Sequence, residues 1–250
     1  KLGGSLLSRG EDRIFDFGYL EKLRAVLTDA ELSDNKYFLA IGGGYTMRKY
    51  RDLAREAGIK SDIEIHWVGT TVNVLHAYLV KAYLSDIADD EVIKYEDYYV
   101  DSERTQSETV AVSSVVTTDE EFNKFTITKR IKVGGGGRPG HSGDVDALLA
   151  AQKLGANTII SLKNVDAVYE ADPKDFPEAK RIEKLSWDEY LKIIKDKDTH
   201  EPGGNYPIDP VASRMARSAG VRFVILSGED LPNLKKYLLG EKFVGSTVGG

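Results

Sequence analysis

The chain has 250 residues, 41% hydrophobic and 30% charged, enough to bury a sizeable core in one large α/β domain or two closely packed lobes. The 40 acidic residues outnumber the 34 basic ones, and a net charge of −6 argues against nucleic acid as a partner. The absence of cysteine excludes disulfides, thiolate metal sites and thiol catalysis, and with no apolar run of spanning length and no signal peptide a soluble, cytoplasmic protein with no membrane contact is expected.

The chain opens on Lys1-Leu-Gly-Gly-Ser-Leu-Leu. Lys1 reads as lying inside a strand, so residues ahead of it are expected. The strand ends at Gly3 and Gly4. A lysine at that point either reaches phosphoryl oxygens held by the turn or is a solvated terminal lysine. Tyr19 to Leu27 predicts an amphipathic helix, with Leu20, Leu23 and Val26 on one face. The design then repeats. Tyr37 to Ile41 predicts a buried strand, Gly42 to Gly44 a turn, and Met47 to Ala57 a helix. Arg48, in the first turn after those glycines, is the ligand candidate. Arg51 and Arg55 read as a solvated face.

Between Ile63 and Leu84 an apolar helix is predicted around Val72 to Leu84, its start marked by Gly69, Thr70 and Thr71. His66, Trp67 and His76 beside it read as core or interface residues, and no spacing there suggests a metal site. Tyr95, Tyr98 and Tyr99 follow as a cluster. The β-rich runs Glu108 to Thr118 and Phe125 to Val133 predict a hairpin, either a lid or a subunit contact.

The second of those runs leads into four glycines, Gly134 to Gly137, then Arg138-Pro-Gly-His-Ser-Gly-Asp144. Val145, Leu148, Leu149, Ala151 and Leu154 then recur at helical spacing. Strand, glycine turn and helix in that order put backbone N–H groups and a positive helix end where an anion can sit; a plain connecting loop is the alternative. Three such turns on a parallel sheet gather at one edge and can share one crevice.

Asn157 to Leu162 predicts another strand, followed by a loop with Lys163, Asn164, Asp166, Tyr169 and Asp172. An aromatic with amide and carboxylate neighbours holds a purine and ribose; otherwise this is a solvated turn closed by Asp-Pro. Ser186 predicts an N-cap for a helix reaching Ile194. Lys195 to Asn205 is a charged loop, and Asp209-Pro opens a further helix. A strand at Val221 to Leu226, a helix at Leu231 to Leu239 and a final turn and short strand complete the chain. The alternation predicts a mainly parallel sheet covered on both faces.

Six stretches in this order resemble the amino acid kinase family, most closely its archaeal uridylate kinases. They are Lys1-Leu-Gly-Gly-Ser, Ile41-Gly-Gly-Gly-Tyr-Thr-Met-Arg-Lys-Tyr, Gly137-Arg-Pro-Gly-His-Ser-Gly-Asp, Asn164-Val-Asp-Ala-Val-Tyr-Glu-Ala-Asp-Pro, Asp209-Pro-Val-Ala and Gly240-Glu-Lys-Phe-Val-Gly-Ser. The resemblance implies a three-layer αβα sandwich around a mostly parallel eight-stranded sheet. It implies one amino acid kinase domain over 1–250, with an acceptor-binding and oligomerisation lobe at 1–130, a hairpin insertion near 95–133 and an ATP-binding lobe at 131–250. It also implies transfer of the γ-phosphate of ATP to UMP, with Mg²⁺, in a homo-oligomer such as a hexamer or trimer of dimers. Only small-molecule substrates are implied as partners.

By position, the resemblance makes Lys1 a catalytic cation and Asp144 the aspartate that orients that lysine or a metal. Gly3, Gly4, Ser5, Gly42, Gly43, Gly44 and Arg48 would bind phosphate. Lys163, Asn164, Tyr169 and Asp172 would bind ATP, and Gly69, Gly137, His141 and Ser142 the acceptor. The chain departs from uridylate kinases at three acceptor positions, with His66 for an aspartate, Val74 for an arginine and His76 for an asparagine. The isopentenyl phosphate kinase branch carries a histidine shortly after the second glycine turn, and residues 45–50 contain none. The molybdenum storage proteins, which share the fold and bind ATP, resemble the chain at Leu7-Ser-Arg-Gly-Glu-Asp-Arg and near its end. That makes an oxyanion store the alternative, with His66, His76 or His141 as a nucleating histidine.

Overall fold

The structure is a computed structural model that describes residues 1–98, 124–173, 175–194 and 206–249. The run Glu108 to Thr118, Tyr99 and the loop Lys195 to Asn205 lie outside the described residues. The elements in chain order are α1 (Gly4–Leu7), α2 (Phe17–Leu27), β1 (Tyr37–Ile41), α3 (Gly44–Glu56), α4 (Asp62–Tyr83), β2 (Ala88–Ile93) and α5 (Tyr95–Tyr98). After them come β3 (Ile131–Gly135), α6 (Gly143–Lys153), β4 (Thr158–Lys163), β5 (Val168–Tyr169), β6 (Arg181–Ile182) and β7 (Lys184–Leu185). The last are α7 (Trp187–Ile193), α8 (Pro210–Ala219), β8 (Arg222–Ser227), α9 (Leu231–Leu238) and β9 (Ser246–Val248).

The strands β2, β3 and β1 lie side by side and parallel. A second row runs β4, β8, β9, β7, in which only the β8–β9 pairing is antiparallel. Leu2 joins the two rows, bridging in parallel to Ile41 on one side and Leu162 on the other. The segment Lys1 to Gly3 therefore sits at the middle of a continuous, mainly parallel sheet. Its backbone bonds confirm the placement: Leu2 N–H donates to the Ala40 carbonyl at 2.8 Å and Leu162 N–H to the Lys1 carbonyl at 3.0 Å. A short separate ladder pairs β5 with β6.

Side chains alternate across the pleat. Leu39, Ile41, Val224 and Leu226 enter one core, packed with Leu20, Leu23, Val80 and Leu234 of α2, α4 and α9. Ala40, Phe223 and Ile225 enter the other, packed with Leu148, Tyr190 and Ala212 of α6, α7 and α8. The result is the three-layer αβα arrangement, with strands buried on both faces as parallel strands require.

Three expectations shift. The long helix α4 begins at Asp62 and not near Val72, because Ser61 caps it by accepting from the Glu64 N–H and Asp62 and Glu64 put negative charge in its first turn. Gly69 thus lies inside the helix. The strand β3 starts at Ile131 and includes Gly134 and Gly135, so only Gly136 and Gly137 of the four glycines form the turn. A Cβ on Gly135 would stand 2.8 Å from the Asn73 carbonyl oxygen, which keeps that position bare. With β1 and β2 paired on its two edges, β3 cannot also be a hairpin arm. It belongs to the first row of strands, between β1 and β2. The buried Lys132 ammonium anchors the segment before β3 by donating to the Thr126 carbonyl at 2.9 Å and to the Lys124 carbonyl, 3.6 Å from Asp89.

Candidate active site

The parallel strands end on one edge of the sheet, and the ends of β1, β3, β4 and the Lys1–Gly3 segment carry the segments singled out above. The first two glycine turns are in contact. A Cβ on Gly42 would lie 2.9 Å from the Gly4 nitrogen, and one on Gly4 would lie 2.8 Å from the Gly43 nitrogen. Gly44 has φ +56°, in the left-handed region, where a side chain would also strike Gly4. Ser8 locks the pair: its hydroxyl accepts from the Thr46 N–H at 2.9 Å, and its carbonyl accepts from the Tyr45 N–H at 2.9 Å. The close approach brings the amides of Gly4, Gly43 and Gly44 together. The Gly3 N–H is not among them, contrary to the expectation that it binds phosphate: it donates to the Leu162 carbonyl at 2.9 Å and is spent on the sheet. Ser5 lies in α1, directly after those glycines.

Lys1 projects from the centre of the sheet beside them. Its ammonium donates to Asp144 Oδ1 at 2.7 Å. The other oxygen, Oδ2, accepts from the Lys163 ammonium at 3.1 Å and from the Asp209 N–H at 3.1 Å. One carboxylate thus holds two lysines that arrive from different strands. The side chains of Lys1, Asp144 and Lys163 are only 13%, 5% and 15% exposed. Asp144 sits in the first turn of α6, where the helix end favours negative charge. Burial alone pushes its carboxyl upward, but the charges of Lys1 and Lys163, the Lys1 hydrogen bond and the Asp209 N–H overcome that and hold it far below the usual range. Burial pushes the Lys163 ammonium down to about 8; Asp144 opposes that shift and the Lys1 charge adds to it.

A cavity of about 580 Å³ opens beside this pair of lysines, lined by Lys1, Gly3, Ser5, Asn164, Tyr169 and Asp172. Lys163, Asn164, Tyr169 and Asp172 thus share one cavity with Lys1, Gly3 and Ser5, whereas Gly4, Gly42 to Gly44 and Arg48 do not line it. The Tyr169 hydroxyl donates to Asp166 at 3.0 Å, which fixes the ring at the cavity rim. Arg48 is exposed on α3, one turn beyond Gly44.

Across Lys1 from this cavity stands the third turn. Gly136 has φ +75° and packs against α4, where a Cβ would meet the Thr70 carbonyl at 2.7 Å. The Gly137 N–H donates to Asp146 Oδ2 at 3.0 Å, and the Gly140 N–H donates to His66 Nδ1 at 2.8 Å. The anion seat expected at Gly137 is therefore taken by the protein's own carboxyl. His141 closes the turn through its N–H on the Arg138 carbonyl at 3.0 Å, and Ser142 leads into α6, its hydroxyl buried and without a hydrogen-bond partner among the described residues. Gly69 is not at a helix start. It lets α3 approach α4, with a Cβ there 3.0 Å from Arg51 Cδ. His76 is buried beside the Gly42 carbonyl at 3.3 Å and edge-on to Phe15, and burial pushes it toward the neutral form.

Two residues take part in ways the sequence does not show. Asp209, marked in the sequence as a helix start and as part of a family stretch, supplies a backbone N–H to Asp144 while its side chain caps the helix and Pro210 takes the first helical position. Asp146 carries no local signal, because its partner Gly137 is reached only through the tertiary fold. Among the described residues no three His, Asp or Glu side chains lie close enough to hold a metal ion. Both oxygens of Asp144 are already engaged. The crevice offers lysine cations and backbone amides, groups that suit an anionic ligand, and no free carboxylate oxygen of Asp144 for a metal ion. Among the described residues no helix is long and apolar enough to cross a membrane.

Comparison with known proteins agrees with this geometry. The family model described as the amino acid kinase family matches residues 1–227. A uridylate kinase of Pyrococcus abyssi is 29% identical over 247 residues, spanning 99% of this chain and 96% of the relative. A uridylate kinase of Methanospirillum hungatei is 30% identical over 249 residues, spanning 99% and 92%. The crystal structure of the uridylate kinase from Archaeoglobus fulgidus matches with a TM-score of 0.71 at 26% identity, covering 99% of this chain and 97% of that one. The glycine turns, the paired lysines and an end-to-end match have one common account: the chain belongs to the amino acid kinase family.

Proposed function

We propose that the protein is an ATP-dependent phosphotransferase of the nucleoside monophosphate kinase type, passing the γ-phosphoryl group of ATP to a phosphate-bearing acceptor, with UMP the first candidate. The observation that carries the reading is the Asp144 carboxylate gripping Lys1 and Lys163 where the glycine turns meet, beside a cavity large enough for a nucleotide. The uridylate kinase relatives support it.

The chemistry asks little of the protein beyond charge and alignment. An oxygen of the acceptor phosphate attacks the γ-phosphorus as the bond from that phosphorus to the β,γ-bridging oxygen breaks. The pair of electrons leaves with ADP. Because the second ionisation of a phosphate monoester lies near pH 6, the attacking oxygen is already anionic at neutral pH and needs no general base. The lysines Lys1 and Lys163 supply the positive charge that the crowded phosphoryl oxygens need, and Asp144 holds both ammonium groups in place until the phosphates arrive. Amides of Gly4 and Gly42 to Gly44 orient the triphosphate, and Asn164, Tyr169 and Asp172 hold its base and ribose. Mg²⁺ on the triphosphate would neutralise further charge.

The departures at His66, Val74 and His76 leave the acceptor to be identified by assay. Purified protein with Mg·ATP and each nucleoside monophosphate in turn should release ADP with at least one of them, UMP first. Tight ATP binding with no transfer to any acceptor would overturn the reading. In that event, uptake of molybdate or tungstate well above one metal atom per chain would establish the storage alternative.

We propose too that a second copy of the chain covers the exposed apolar side chains of α3 and α4. Tyr50, Leu53, Ile63, Leu75 and Tyr78 are 44–65% exposed. Light scattering should show an oligomer that Leu75→Asp with Tyr78→Asp dissociates. A monomeric wild type would remove this part of the reading.

A further inference from the structure

The third glycine turn differs from the first two in what its amides face. Asp144 and Asp146 both sit in the first turn of α6. Asp144 reaches forward to the lysines. Asp146 turns back under the glycine turn. It is only 5% exposed, and one of its oxygens takes the Gly137 N–H at 3.0 Å. The other oxygen, Oδ1, has no hydrogen-bond partner among the described residues. It lies where a Cβ on residue 137 would be, so the carboxyl can occupy this place only because residue 137 is glycine.

The rest of the turn is tethered to the opposite wall. Thr70 on α4 donates toward the Gly137 carbonyl at 3.4 Å, and His66 on the same helix accepts from Gly140. The turn is therefore slung between α6 and α4, with the Asp146 contact as its fixed point on the α6 side. A buried carboxyl with an unpartnered oxygen is a costly feature to retain for packing alone.

We propose that Asp146 is a positioning residue for the acceptor: its carboxyl fills the seat at the Gly137 amide that the turn would otherwise present to a substrate oxygen, and so fixes the turn that forms the acceptor wall. The acceptor phosphate is then left to meet the γ-phosphoryl group beside Lys1. This rests on the kinase reading for its kinetic consequence, but the contact itself is testable without turnover.

The test is a double-mutant cycle read by steady-state kinetics for ATP and for the working acceptor. Asp146→Ala should raise the acceptor KM about tenfold, the change expected for an orphaned buried amide, while kcat and the ATP KM move by less than about threefold. Asp146→Asn, which keeps an oxygen for Gly137, should restore the acceptor KM. Gly137→Ala should by itself raise the acceptor KM about tenfold, and should add nothing further in the Asp146→Ala background, because the carboxyl it would strike is gone. Equal losses for ATP and acceptor, an Asn variant as impaired as the Ala variant, or independent effects of the two alanine changes would overturn the proposal. Amide hydrogen exchange at Gly137 in the wild-type protein needs neither a variant nor an acceptor: protected exchange is expected, and exchange at the rate of an open loop overturns the contact even if phosphotransfer is confirmed.

Discussion

The Lys1 ammonium and the Lys163 ammonium are held on opposite oxygens of a single carboxylate, that of Asp144, at 2.7 and 3.1 Å. Two cations this close repel one another, so the arrangement persists only because the shared anion stands between them. A triphosphate entering the crevice offers the same lysines a larger negative partner. Asp144 is therefore a keeper of positive charge as much as a member of an ion pair.

Removing Lys1 should separate chemistry from binding. Lys1→Ala is expected to lower kcat by about 10²–10³-fold, the usual scale for losing one stabilising group at developing charge, with ATP affinity largely retained. Isothermal titration with ATP and initial rates of ADP release check it. Retained turnover would take Lys1 out of the mechanism.

Lys163 sets an alkaline limit. Its ammonium is pushed by burial down to about 8, below the ordinary 10.5, so it loses its charge just above neutrality. The pH profile of kcat/KM for ATP should therefore fall as pH rises through about 8. Lys163→Arg keeps the charge at all these pH values, and its alkaline limb should move upward. For stability the sign is opposite: the folded chain binds fewer protons than the unfolded chain between about 8 and 10.5, so this group's contribution rises with pH across that window.

Asp146 acts in the acidic range. Burial pushes its carboxyl up to about 7, the Gly137 N–H and Lys1 resist, and Asp144 adds to the rise. The folded chain holds this proton between its ordinary 3.8 and about 7, where the unfolded chain has lost it. Stability should fall as pH rises across that window, by at most on the order of 4 kcal/mol. Urea unfolding at a series of pH values should show this slope in the wild type and not in Asp146→Asn.

The glycines differ in what they protect. A Cβ at Gly4 would overlap the backbone of the second turn, while Gly58 has φ +83° with nothing within 4 Å of its Cβ position. Gly4→Ala should destabilise by more than about 3 kcal/mol, because backbone must move. Gly58→Ala should cost about 1 kcal/mol for the left-handed conformation alone. Equal losses in thermal unfolding would mean the two turns are not in contact.

These contrasts also explain what could be read from the chain. The apolar run Tyr37 to Ile41 and the glycines after it announce a strand and a turn, since both signals are local. The stretch Ser61-Asp-Ile-Glu64 carried the start of α4 and was outweighed by Gly69 and two threonines, residues that tertiary packing admits inside a helix. Gly134 and Gly135 looked like turn residues but belong to a strand whose neighbours, Phe38 and Asn73, leave no room for side chains. Asp146 was invisible for a related reason: its partner lies nine residues away across a turn, and nothing in the spacing shows which carboxyl faces the lysines and which faces the glycines.

The most direct measurement is a crystal structure with a non-hydrolysable ATP analogue. The account predicts its terminal phosphates against the amides of Gly4 and Gly42 to Gly44, within hydrogen-bond reach of the Lys1 and Lys163 ammonium groups, with the base beside Tyr169. A triphosphate bound on any other face, or a crevice that excludes it, would contradict the account.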